Sequence, residues 1–296
     1  MTSTITRGLA AIAVAITAAA CGGSSASTGP DAAPTSTGPE VATTITAEQP
    51  GRAIDEFVTI SSGRMHVRCS GTGDTTVLLV AGWDQGAETW TAVEPTIAER
   101  ARVCSYDRFG TGTSDSPATT QTFETQVADL HELLAEIGEP GPFVVVGHSF
   151  GGAEAVTFAS THADEVAGLV LVDASPTTWP DTVCSVPAYA GGCALMRDPN
   201  QDGERLDVFP AFEAAATITS LGDVPLTVLS AAHRSADGLT PDELTRLDTV
   251  WDEGMQRWAG LSTASKIVTV DDTGHEIQRD QPTIVIDEVI ELLELQ

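Results

Sequence analysis

The chain has 296 residues, 42% of them hydrophobic, and carries 14 Lys and Arg against 42 Asp and Glu, a formal charge of −28. That length suits one large α/β domain or two small ones. The charge repels nucleic acid and anionic lipid headgroups, so neither is an expected partner, and it favours a well-solvated acidic surface.

Arg7 precedes the largely apolar stretch Gly8 to Ala20, and Cys21-Gly22-Gly23 follows. The stretch is too short to span a bilayer and fits the core of a secretory signal. Cys21 after Ala18-Ala19-Ala20 resembles a bacterial lipoprotein box, in which the cysteine is diacylated and becomes the mature N-terminus. The departure is Ala18, where Leu is commonest. Residues 1–21 therefore read as a signal peptide ending in a lipoprotein-type cysteine. The expected product is exported, either as a cell-envelope lipoprotein whose only membrane contact is the lipid on Cys21, or secreted after A-x-A cleavage. Residues 22–51 are mainly Ser, Thr, Ala, Gly and Pro. They bury too little to offset ordering and read as a disordered tether with a reach of roughly 30 Å.

Residues 52–296 read as one folded domain. Phe57-Val58-Thr59-Ile60 and Met65-His66-Val67-Arg68-Cys69 flank Ser61-Ser62-Gly63 as a hairpin. Thr76 to Ala81 is an apolar run too continuous for a half-exposed strand, hence a central one. A helix is predicted from about Glu88 to Arg100, then a strand over Arg102 to Asp107. Gly110-Thr111-Gly112 in the following loop lacks the third glycine and the helix of a dinucleotide fingerprint, and that reading is rejected. Phe123, Val127, Leu130, Leu134 and Ile137 have the spacing of an amphipathic helix closed by Gly138.

Val144-Val145-Val146 then feeds Gly147-His148-Ser149-Phe150-Gly151, and a helix-compatible run follows from Ala153 to Ser160. Strand, Gly-x-Ser-x-Gly turn and helix in that order form a nucleophile elbow, with Ser149 as the candidate nucleophile. Val166 to Asp173 is another buried strand. Residues 175–222 break the alternation with several prolines, two cysteines and one predicted helix near Ala211 to Thr219; a stretch this long reads as a cap or lid over the sheet edge. Val224 to Ser230 restores the pattern, Thr240-Pro241-Asp242-Glu243 starts a helix reaching about Leu261, Lys266 to Val270 is the last strand, and Pro282 to Leu295 is a closing helix. Buried strands alternating with helices imply a parallel sheet covered on both faces.

A serine hydroxyl needs a histidine to take its proton and a carboxylate to orient that histidine, in the chain order Ser, acid, His. Of the histidines after Ser149, His275 lies beside Gly274 in a loop between a buried strand and a terminal helix, and is chosen as the base over His233. His148 adjoins Ser149 but is expected to point away from it. Cys69, Cys104, Cys184 and Cys193 suggest two disulfides in an exported chain, with three pairings open. No cysteine stands at C-x₂-C spacing, so no metal is expected.

Three motifs in order, Gly147-His148-Ser149-Phe150-Gly151-Gly152, Tyr106-Asp107-Arg108-Phe109-Gly110-Thr111-Gly112-Thr113-Ser114, and Gly274-His275 with Gln278 and Asp280-Gln281-Pro282, make residues 57–295 resemble the α/β-hydrolase superfamily in its serine esterase and lipase branch. The resemblance implies a mostly parallel eight-stranded sheet with helices on both faces and a cap insertion. It implies a strand order that places Cys69 beside Cys104, and with it the pairs Cys69–Cys104 and Cys184–Cys193. It places the acid at Asp173, an alternative acid position of the superfamily at the end of the strand beside the nucleophile's, with Asp237 near the usual position beyond the next strand as the alternative and Asp223 behind both. It also implies an oxyanion hole of the Phe150 and Trp83 backbone N–H groups, although Ala81-Gly82-Trp83 stands where His-Gly is commoner. The Trp83 side chain is placed in the acyl pocket or packed under the lid. The expected activity is hydrolysis of a small-molecule carboxylic ester without a cofactor. A peptidase or amidase on the same scaffold and an inactive surface-tethered binding module are the alternatives; dehalogenase chemistry is disfavoured because its elbow nucleophile is Asp.

Overall fold

The computed structural model describes residues 51–200, 202–232 and 239–296. Its strands are β1 Ile54–Ile60, β2 Gly63–Ser70, β3 Thr76–Val80, β4 Arg102–Tyr106, β5 Phe143–His148, β6 Val166–Val172, β7 Leu226–Ala231 and β8 Ser265–Val270. They join in one eight-stranded sheet, in the order β1-β2-β4-β3-β5-β6-β7-β8. The β1–β2 and β2–β4 pairs are antiparallel and the rest are parallel. This is the mostly parallel sheet expected from the alternation.

The helices are α1 Glu94–Ala98, α2 Phe123–Ile137, α3 Phe150–Thr161, α4 Trp179–Cys184, α5 Ala190–Met196, α6 Val208–Ala216, α7 Pro241–Ala259, α8 Ile277–Asp280 and α9 Pro282–Glu294. Every residue of β3, β4 and β5 is buried, because helices cover both faces. Successive side chains of a strand point to opposite faces. Leu78, Val80 and Val145 accordingly pack with Phe123, Leu130 and Leu134 of α2 and Phe158 of α3. Val77, Leu79, Val144 and Val146 pack on the other side with Ile97 of α1 and Val285 and Val289 of α9. Each such side chain contributes about 1.5–3 kcal/mol on burial, so these two layers hold the sheet. β5 and β6, which carry the elbow and Asp173, lie side by side in the middle of it.

Two predicted helices differ from those observed, and three short helices appear that were not predicted. The stretch from Glu88 to Arg100 forms a 3₁₀ turn over Ala87–Trp90 and then the separate α1. Pro95 sits in the first turn of α1, the part of a helix that tolerates it; further along a continuous helix it would remove a hydrogen bond and clash. The inserted segment holds α4 and α5 besides α6, and α6 begins at Val208, three residues earlier than predicted. α5 contains Gly191-Gly192, which disfavours a helix by propensity, and the Cys184–Cys193 disulfide pins it to α4. The four-residue α8 ahead of the closing helix was not predicted, being too short to carry a periodicity.

Cys69 lies directly across from Cys104 in the β2–β4 register and is bonded to it. Both disulfide pairs are those the resemblance implies. The signal peptide, Cys21 and the tether to residue 50 lie outside the described residues, as do His233 and Asp237. Among the described residues no helix is long and apolar enough to cross a membrane.

Candidate active site

Ser149 stands between His148, which ends β5, and Phe150, which starts α3, with φ 54° and ψ −124°. A non-glycine residue in this region is strained, and the strain lifts its side chain off the carboxyl edge of the sheet. The glycines make room: a Cβ on Gly147 would lie 2.4 Å from Gly151 O, and one on Gly151 would lie 2.2 Å from Ala81 O.

His275 comes from the loop after β8, and Asp173 directly follows β6. His275 Nε2 is 2.9 Å from Ser149 Oγ, and His275 Nδ1 is 2.8 Å from Asp173 Oδ2. Asp173 is 1% exposed and has φ 42°, a second strained residue in the same cluster. Its Oδ1 accepts from Ala231 N at 3.1 Å and from Trp251 Nε1 at 2.9 Å. Two donors on one oxygen and His275 on the other stabilise an ionised carboxylate. Asp223, by contrast, is exposed ahead of β7, at the opposite edge of the sheet.

Phe150 is the first residue of α3, so its N–H has no intrahelical acceptor. Neither it nor Trp83 N–H has a hydrogen-bond partner among the described residues. Gly82 brings the second loop in: a Cβ there would lie 3.2 Å from Ser149 Cβ. The Trp83 ring stacks on Phe150 at 5.2 Å, and its Nε1 donates to Asp202 Oδ2 at 3.0 Å, so this side chain packs beneath the inserted segment. Phe212 of α6 closes the aromatic cluster edge-on to Phe150 at 4.7 Å.

His148 points away from the Ser149 hydroxyl, as expected, but is not idle. Its Nε2–H donates to the main-chain O of His275 at 3.0 Å, and Nδ1 lies 3.1 Å from Gln85 Oε1. Burial, and next the neighbouring His275, push its pKa down to about 3, so the ring is neutral at pH 7. It ties β5 to the loop carrying His275. Nothing near His148 in sequence signals this, nor the role of Trp251, which reads as a core residue of α7. Ser175, with its hydroxyl 3.3 Å from Ser149 Oγ, was likewise missed.

Among the described residues, two other groupings hold metal-ligand side-chain types. Cys69 and Cys104 near Glu139 are bonded to each other and offer no thiolate. His131 and His162, beside Glu165, stack at 3.9 Å with their planes 8° apart. A metal binds in the plane of each imidazole, and two stacked parallel planes share no point, so the rings as placed do not converge on one ion.

The alpha/beta hydrolase fold family matches residues 75–286, a span that contains Ser149, Asp173 and His275. The chain belongs to that family. The uncharacterized protein YqjL of Bacillus subtilis is 25% identical over 222 residues, covering 73% of this chain and 82% of its own. The uncharacterized protein Rv2715 of Mycobacterium tuberculosis is 30% identical over 182 residues, covering 57% of this chain and 51% of its own, so the chain spans about half the length of that relative. The solved structure of epoxide hydrolase CorEH aligns with a TM-score of 0.60 at 20% identity, covering 83% of this chain and all of that one. This last likeness is one of fold. Such a fold hosts several chemistries.

Proposed function

We propose that this chain is a serine hydrolase that cleaves a carboxylic ester through an acyl-enzyme. The hydrogen-bonded chain from Ser149 Oγ through His275 to Asp173 carries the reading. Ser149 Oγ attacks the ester carbonyl carbon as its proton passes to His275 Nε2, and the Phe150 and Trp83 N–H groups receive the oxyanion. Collapse expels the alcohol, which takes that proton and leaves an acyl group on Ser149. A water then gives a proton to His275 and attacks the acyl carbon. The acid departs and Ser149 is restored. Asp173 stays ionised throughout, holding the tautomer and stabilising the imidazolium.

In this reading the inserted segment 175–222 is a cap that shapes the acyl site. The protein is exported, held to a membrane by lipid on Cys21 or secreted; two disulfides are compatible with that compartment. The full chain should hydrolyse p-nitrophenyl butyrate and take up a fluorophosphonate probe on Ser149, whereas Ser149→Ala should do neither. Absence of probe on Ser149 in the folded wild-type protein would overturn the reading in favour of a binding module. Faster turnover of the matching anilide would move it to an amidase.

A further inference from the structure

Arg108, in the loop after β4, is 4% exposed, yet each of its five N–H donors has an acceptor. Nη1 donates to Ala81 O at 2.7 Å and to Glu154 Oε2 at 3.3 Å. Nη2 donates to Gly82 O at 2.5 Å and to Glu204 Oε1 at 3.0 Å, and Nε donates to Glu204 Oε2 at 2.8 Å. The guanidinium thus joins three parts of the chain: the loop carrying Trp83, Glu154 on α3, and Glu204 in the segment between β6 and β7.

Glu204 is 1% exposed and equally saturated. Besides Arg108, its Oε1 accepts from Asp84 N at 2.5 Å and its Oε2 from Gln126 Nε2 at 3.2 Å. The inserted segment reaches this depth because two glycines meet backbone to backbone. A Cβ on Gly110 would lie 1.9 Å from Gly203 O, and one on Gly203 would lie 2.3 Å from Gly110 O.

The geometry bears on one peptide group. Gly82 C=O and Trp83 N–H belong to a single planar trans unit and point in opposite directions. Arg108 fixes the oxygen, and the N–H is thereby aimed away from Arg108. Asp84 N, bound to Glu204, fixes the next peptide, so both units flanking Trp83 are held. A cation on the carbonyl also polarises the amide and strengthens its N–H as a donor.

We propose that Glu204 is a positioning residue for the oxyanion hole: seated by the inserted segment, it locks Arg108 and the Asp84 N–H so that Trp83 N–H meets the developing oxyanion. This rests on the serine-hydrolase reading. It makes the seating of the segment a condition for full transition-state stabilisation, so the segment acts on the rate as well as on access.

The test compares the full-length wild type with Glu204→Gln on p-nitrophenyl butyrate, and measures inhibition by a trifluoromethyl ketone of the same acyl length, which forms a hemiketal oxyanion on the serine. The variant should lose about 10–100-fold in kcat, less than the loss from deleting a donor outright, with KM within about threefold. Its affinity for the ketone should fall by the same factor as kcat. A kcat within about threefold of wild type overturns the proposal, and so does a fall in kcat with ketone affinity unchanged, the mark of a purely structural role. Should Glu204→Gln not fold, Glu204→Asp keeps the charge one methylene short of Arg108 and carries the same expectation and the same refutation. A wild type that neither hydrolyses the ester nor takes the fluorophosphonate fails the underlying reading instead, and is told apart by that control.

Discussion

Replacing Asp173 by Asn changes one atom in a buried site whose hydrogen bonds dictate the orientation of the new amide. Ala231 N–H and Trp251 Nε1–H both donate to Oδ1, so the Asn carbonyl oxygen must take that place. The Asn NH₂ then faces His275 Nδ1, 2.8 Å from the replaced oxygen. Two donors cannot face each other there, so His275 gives up its Nδ1 proton and carries it on Nε2. That nitrogen, 2.9 Å from Ser149 Oγ, can no longer accept the serine proton. The expected fall in kcat is about 10⁴-fold, or about 5.5 kcal/mol of transition-state stabilisation. The fold should survive, because both donors to Oδ1 keep their acceptor. Steady-state turnover of p-nitrophenyl butyrate, alongside a thermal melt of each protein, measures both quantities. A folded Asp173→Asn enzyme that keeps more than about 1% of wild-type kcat would refute the assignment of the acid.

Two predictions concern the elbow and its neighbour. Gly147→Ala places a methyl group 2.4 Å from Gly151 O, which cannot move without opening the turn, so the variant should be destabilised by more than about 3 kcal/mol in urea titration; a near-native midpoint would show that the elbow relaxes freely. Burial holds the His148 imidazole down to about 3 in the fold, against an ordinary value near 6.5, so the unfolded chain binds the proton first and stability is lost as pH falls through that window. By pH 4.5 this group alone removes about 3 kcal/mol. Urea titrations at pH 7 and 4.5 should therefore show a steeper loss for wild type than for His148→Gln, and equal losses would contradict the burial of a neutral ring.

The sheet was legible because its strands are continuous apolar runs separated by turn chemistry, and β3 and β5 could hardly be anything else. The elbow was legible for a local reason: Gly147 and Gly151 are needed by atoms within a few residues or on the adjoining strand. What lay hidden depends on contacts far apart in the chain. Trp251 reads as one apolar position of α7, and nothing near it in sequence says that its indole nitrogen meets Asp173, 78 residues away. Glu204 looks like any other acidic residue in a chain of net charge −28, until folding buries it against Arg108. The helices of the inserted segment were obscure because a disulfide and packing hold α4 and α5 where propensity is weak.

In the proposed mechanism the place of the acid follows from the sheet order. Ser149 follows β5, His275 follows β8, and β6 and β7 lie between them, so the histidine reaches back across two strands. A carboxylate at the end of β6 stands beneath that reach, next to the nucleophile's strand. The end of β7 supplies the Ala231 N–H that holds Asp173. Trp251 completes the arrangement from α7, donating to Asp173 while its ring packs edge-on against His275 at 5.4 Å. An apolar wall on that side keeps the Asp173–His275 hydrogen bond out of water, where its charge-assisted character counts for more. In that mechanism two strand ends and one helix build the Asp173 position, and the backbone of β7 serves it as a donor.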